Sequence, residues 1–119
     1  MEQIEVALMS GPQDGAVLTF ERLLDSEEPI VISIGRREGL DICLSYDSQV
    51  SREHAALIYD GESFWLEDKQ STNGTYVGDT KITGRVEIQP GQLFRIGRTW
   101  LRVEPSTSFV PLDESDLPF

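Results

Sequence analysis

The chain has 119 residues, 39% of them hydrophobic, a formal net charge of -11 and one cysteine; that length suits a single domain burying about two-thirds of its unfolded surface without metal or disulfide. Cys43 alone excludes an internal disulfide and argues against a cysteine-based metal site. The acidic start Met1-Glu2-Gln3-Ile4-Glu5 lacks the basic character of a secretory signal, and no apolar run approaches the ~18 residues of a membrane span, so the expectation is a soluble, cytoplasmic protein without a membrane partner.

In chain order, Gly11-Pro12 and Asp14-Gly15 mark the first turns, and Glu21 to Glu28 is the only stretch that approaches a helical period before Pro29 ends it. Ile30, Ile32 and Ile34 alternate as a half-buried strand does. Asp60-Gly61 separates the strand Ala55 to Tyr59 from Ser63 to Asp68, in which Phe64 and Leu66 alternate. Asn73-Gly74, Gly78-Asp79, Pro90-Gly91 and Gly97-Arg98 punctuate the remainder, with Phe94 and Ile96 on one face of their strand and Arg95 on the other. Trp65 and Trp100 lie in strand patterns and are read as packing residues. Short strands with turns every eight to twelve residues predict an all-β fold, a two-sheet antiparallel β-sandwich of about eleven strands spanning residues 1–104. Residues 105–119, from Pro105, read as an acidic, Pro- and Ser-containing flexible tail.

The charge is unevenly spread. Residues 1–28 carry -6, residues 104–119 carry -4, and residues 29–103 only -1. That central stretch holds three polar clusters at the ends of apolar segments: Gly35-Arg36, Ser51-Arg52-Glu53-His54 and Ser71-Thr72-Asn73-Gly74-Thr75. In a sandwich the loops gather at the two ends, so such clusters converge at one rim. Together they supply guanidinium groups, hydroxyls and an amide, the donors that a doubly charged phosphate with three acceptor oxygens requires. No basic stripe exists to follow a nucleic acid backbone, which argues against nucleic acid as partner.

The three clusters, in this order and spacing, resemble the signature of the forkhead-associated (FHA) domain, a phosphothreonine-binding module with a SMAD/FHA-like sandwich: G-R, then S-x-x-H, then S/T-x-N-G-T. The resemblance covers about residues 4–104, with Leu93-Phe94-Arg95-Ile96-Gly97 in place of a late strand of the family. It implies that Arg36 and Ser51 contact the phosphate, that Arg52 adds a donor or touches the peptide, that Thr72 lies at the pocket edge, and that Asn73 bonds the peptide backbone. Gly35, His54 and Gly74 are implied to shape loops. It also implies a preference for phosphothreonine over phosphoserine. Gly78-Asp79 departs from the Asn followed by Gly that many members carry, which opens the register of that turn.

The reading is therefore a non-enzymatic signalling adaptor, without metal or cofactor, that recognises phosphothreonine in a partner such as a Ser/Thr kinase or its substrate; a bacterial host is the family-level expectation. Two other readings stay open: an FHA-fold scaffold that associates independently of phosphate, and a hydrolase using Ser51, His54 and Asp68. Thr107, on the tail, is a candidate phosphorylation site that would occupy the pocket of its own or a neighbouring chain.

Overall fold

The computed structural model describes residues 2–23 and 27–105; the expected tail from residue 106, Thr107 included, lies outside them. Eleven strands occur among the described residues: β1 Glu2–Leu8, β2 Val17–Arg22, β3 Ile30–Gly35, β4 Ile42–Cys43, β5 Ala55–Tyr59, β6 Phe64–Asp68, β7 Thr75–Val77, β8 Thr80–Lys81, β9 Arg85–Ile88, β10 Phe94–Ile96 and β11 Thr99–Val103. They form a six-stranded sheet in the order β2-β1-β11-β10-β7-β8 and a five-stranded sheet in the order β4-β3-β5-β6-β9. The expected antiparallel sandwich is present with one exception, since β3 and β4 pair in parallel, Ile34 opposite Ile42. No helix forms among the described residues, and Glu21 and Arg22 belong to β2.

Period-2 patterning explains the core. Ile4, Val6 and Leu8 of β1 point inward against Ile32 and Ile34 of β3, Leu57 of β5, Leu66 of β6, Phe94 and Ile96 of β10 and Leu101 of β11, all fully or nearly fully buried. Strand β5 is buried on both faces from Ala55 to Ile58, as befits the centre of its sheet. The sheets are also tied by polar contacts: at one pole of the sandwich Arg22 donates to Glu2 Oε1 at 2.8 Å and the Tyr59 hydroxyl donates to Glu2 Oε2 at 2.9 Å, joining β1 to β5. Tyr59 stacks on Phe64 with ring centroids 4.5 Å apart. At the opposite pole lie the β3–β4, β4–β5, β6–β7 and β10–β11 connections.

Gly78 shows how the departure in the β7–β8 turn is absorbed. It has φ +58, no other residue of the turn has positive φ, and Val77 stays paired with Thr80. Positive φ at the first central residue alone is the type II′ arrangement rather than the type I′ that Asn-Gly favours, so the register is preserved. Truncating Leu66, which has no exposed surface on β6 next to the central strand of the five-stranded sheet, is expected to lower unfolding stability by about 2 to 5 kcal/mol; denaturant titration of Leu66→Ala should show a lower midpoint at an unchanged slope.

Candidate functional site

The three polar clusters meet at one pole because β3 and β5 are neighbours and the β6–β7 connection returns beside them. The β3–β5 ladder continues past its last paired residues: the Arg36 N–H donates to Ser51 O at 3.0 Å, and the Arg37 N–H to Arg52 O at 3.3 Å. Arg36 and Ser51 are thus adjacent by backbone pairing. A Cβ at position 35 would collide with Arg52 O and with the Leu40 side chain, so only glycine admits this approach.

Arg36 is oriented by the neighbouring β4–β5 loop. Its Nε–H donates to Val50 O at 2.9 Å, leaving the two terminal nitrogens without a protein acceptor among the described residues. Ser51 Oγ accepts the Thr72 N–H at 3.0 Å, which leaves the Ser51 O–H as a donor. Asn73 donates from Nδ2 to Gln49 O at 2.8 Å, and its carboxamide oxygen takes no bond from the described residues. Arg52 is exposed and its guanidinium has no partner among them. Thr72 enters through its backbone rather than its hydroxyl, and Arg37 is neutralised by Glu53.

His54 is fully buried and joins the second cluster to the third. Nδ1 accepts the Ser51 N–H at 3.0 Å, so Nε2 carries the proton and donates to Gly74 O at 2.9 Å. Burial depresses its pKa below the ordinary 6.5, although the Gly74 bond and the charges of Asp68 and Asp47 oppose that shift. Both ring nitrogens are occupied by backbone, which leaves no lone pair to activate Ser51 Oγ; the ring holds the serine through its N–H, while the hydroxyl oxygen accepts from Thr72. Gly74, whose carbonyl accepts this bond, has φ +89.

Two acids outside the expected phosphate-binding set shape the site: Asp47, which the sequence did not single out, and Asp68, which entered only through the hydrolase alternative. Asp68 accepts from the hydroxyls of Ser71 and Thr75 and from the Ser71 N–H, and Ser71 Oγ in turn accepts the Gly74 N–H at 3.0 Å. Desolvation opposes ionisation of Asp68, but the hydroxyl and amide donors outweigh it and hold its pKa below the usual carboxylate range. Asp47, 5% exposed, accepts from Gln49 N–H at 3.0 Å, Arg98 N–H at 2.7 Å and Thr99 Oγ1 at 2.7 Å, fastening the β4–β5 loop to the β10–β11 turn. The Asp47-x-Gln49 spacing, with the side chain bonding the backbone two residues on, is the signal that marks it.

Most of the positive charge that no carboxylate among the described residues neutralises gathers at the same pole. Arg22, Arg37, Lys69, Arg85 and Arg102 pair with carboxylates. Arg36, Arg52, Lys81 and Arg98 have no carboxylate partner among the described residues, and all four sit on or beside the loops of this rim; Lys81 lies against Gly74. The arrangement suits one compact anion, held by directed donors in a field that the ion pairs elsewhere do not cancel.

Comparison with known proteins gives a consistent result. The sequence model of the FHA domain matches residues 32–97. FhaB, an FHA domain-containing protein of Mycobacterium tuberculosis, is 38% identical over 88 residues, covering 74% of this chain and 55% of the relative; the chain thus spans about half the length of FhaB. A solved FHA domain analysed for phosphothreonine-dependent interactions superposes with a TM-score of 0.71 at 25% identity, over 88% of this chain and 98% of its own. The FHA domain of the CT664 protein from Chlamydia trachomatis superposes with a TM-score of 0.74 at 25% identity, over 88% and 99%.

The unfolded chain takes up a proton at His54 near pH 6.5 while the folded chain resists until lower pH, so the stability linked to this group is complete above 6.5 and falls as pH drops through it toward the folded value. Histidine NMR should find the Nε2–H tautomer at neutral pH, a titration midpoint below 6.5, and unfolding free energy declining over the same interval.

Proposed function

This chain belongs to the FHA domain family, and on that premise we propose that it is a non-catalytic cytoplasmic adaptor whose residues 1–104 dock onto a phosphorylated threonine of a partner protein, a Ser/Thr kinase or its substrate. The observation that carries this reading is the backbone pairing of Arg36 with Ser51, which brings together a guanidinium whose terminal nitrogens and a hydroxyl whose proton have no acceptor among the described residues. A phosphate between them accepts charge-assisted bonds from Arg36 and a bond from Ser51, with Arg52 as a second cation at the rim. Asn73, clamped through Nδ2, offers its oxygen to a peptide N–H beside the phosphoresidue.

The donors are pre-positioned by Val50 O, Thr72 N–H, Gln49 O and the His54 bridge, so little conformational entropy is lost on binding. Selectivity for phosphothreonine follows if the threonine methyl fills an apolar depression beside the phosphate, a contact of about 1 to 3 kcal/mol for one methyl group. The engagement of both His54 nitrogens by backbone supports docking over hydrolysis.

Degenerate phosphothreonine, phosphoserine and unphosphorylated peptide libraries offered to the parent and to Arg36→Ala test the reading. Binding is expected to be phosphothreonine-selective, and removal of Arg36 is expected to weaken it about thirtyfold or more, equivalent to about 2 to 5 kcal/mol. Peptide binding that survives both Arg36→Ala and phosphatase treatment would favour the phosphate-independent scaffold instead.

A further inference from the structure

The outer face of the six-stranded sheet carries a surface that phosphate recognition does not use. Its row nearest the rim runs across four strands by direct pairing, Trp100, Arg95, Tyr76 and Lys81, and is extended by Met9 just after β1, whose N–H donates to Trp100 O. Arg95 lies over the Tyr76 ring at 4.2 Å and over Trp100 at 5.8 Å, so the row alternates aromatic and cation. The next row holds Val17, Ala7 and Arg102, with Leu93 just before β10 at the same level, one residue ahead of the Phe94–Leu101 pair. Met9, Val17 and Leu93 are 37%, 51% and 42% exposed, three of the five large apolar side chains that stand out among the described residues. In a chain with 21 acids, neither row contains a carboxylate; the one partner of Arg102, Glu104, stands a row further away.

An apolar, cationic face calls for an acidic, apolar occupant, and this chain contains one. Residues 106–119 include Phe109, Val110, Leu112, Asp113, Glu114 and Asp116, and no Lys or Arg. They follow Pro105, which leaves β11 on this same sheet at the pole opposite the phosphate site, beside Gly91. The length is sufficient: the five residues of β11 span about 17 Å, whereas Phe109 lies within ~14 Å of Pro105 along an extended chain and Asp116 within ~39 Å. Pro105-Ser106-Thr107-Ser108 supplies residues suited to reversing direction.

We propose that residues 109–116 of this chain dock in cis on the outer face of the six-stranded sheet, with Phe109 and Leu112 against Trp100, Tyr76 and Leu93, and Asp113, Glu114 and Asp116 facing Lys81, Arg95 and Arg98. Apolar burial supplies the contact and charge sets its direction, because only the acidic end of the segment reaches the cation-rich rim. Docking in this direction brings carboxylates beside the phosphate site. It also assigns Thr107 a different fate from Asp116, since two residues extend ~7 Å from Pro105 and do not cross the sheet; a phosphorylated Thr107 reaches only the pocket of a neighbouring chain.

A nitroxide placed at position 115 by Ser115→Cys, in a Cys43→Ser background of the full chain, tests the proposal, because the two tryptophans report on opposite sheets: Trp100 on the proposed face and Trp65 on β6. The expected result is loss of most of the Trp100 indole N–H intensity with the Trp65 signal retained, reversed by replacing Asp113, Glu114 and Asp116 with Asn, Gln and Asn, and weakened by salt that shortens the screening length. Equal intensity at both tryptophans overturns docking on this face. Trp100 broadening that appears only when spin-labelled chains are mixed with unlabelled, isotope-enriched ones overturns the cis arrangement and makes a second copy the occupant. The parent's amide spectrum verifies that each variant is folded.

Discussion

The neutral ring of His54 is the constraint on which the site depends. It is buried, it has one accepting and one donating nitrogen, and it spends them on two loops from different parts of the chain, Ser51 and Gly74. A protonated ring would lose the first of these bonds, and any side chain without both functions at this separation would leave a backbone group unpaired inside the fold. Through that bridge the position of Ser51 fixes Arg36 by backbone pairing and receives Thr72 on its hydroxyl. The Arg36, Ser51 and Thr72 groups of the candidate site therefore inherit their geometry from one imidazole whose two nitrogens are both spent on backbone.

Around this bridge, acidic side chains do the fastening and basic ones are left to face outward. Asp68 gathers Ser71 and Thr75, and Asp47 gathers Gln49, Arg98 and Thr99, each filling several acceptor sites with short neutral donors instead of cations. That choice has a consequence for a chain of net charge -11. Because the loop carboxylates are satisfied by hydroxyls and amides, Arg36, Arg52 and Arg98 have no carboxylate partner among the described residues at the same rim. Excess negative charge elsewhere aids solubility without cancelling the short-range field, which is screened within about 10 Å at ordinary ionic strength.

The two sheets divide their outer faces unequally. The five-stranded sheet presents Trp65 beside Glu67 and Glu87, mixed in charge and with the indole donating to Asp60 at 3.2 Å. The six-stranded sheet presents the Tyr76–Arg95–Trp100 stack, where two rings offer their negative faces to one guanidinium. Such a stack stabilises its own strands, and it also leaves a smooth apolar and cationic surface next to the point where β11 ends. The chain's direction at Val103 thereby relates a sequence feature, the acidic segment after Pro105, to a surface that no local pattern identifies.

Much of the architecture was legible because strands announce themselves with a period of two: Ile32 and Ile34, Phe94 and Ile96, and the turn pairs Asp60-Gly61 and Gly78-Asp79 mark elements that the structure contains. The clusters of Arg36, Ser51 and Asn73 were legible from residue type and spacing, since both are local properties of the chain. The parallel pairing of β4 with β3, the burial of β5 on both faces and the type II′ turn at Gly78 were not, because they follow from which strands become neighbours. Sequence by itself determined the fold class, the chemistry available at three loops and the acidity of the segments at either end. Only the tertiary structure decided that Thr72 contributes an N–H rather than a hydroxyl, that Arg37 is neutralised while Arg52 is not, and that Asp47 and Asp68 are the fasteners. The Thr72–Ser51, Arg37–Glu53 and Asp47–Thr99 contacts depend on distances between residues well separated in the chain, and even the nearer bonds of Asp68 to Ser71 and Thr75 require the loop conformation that packing sets, because a hydrogen bond of about 3 Å is made or lost by small displacements.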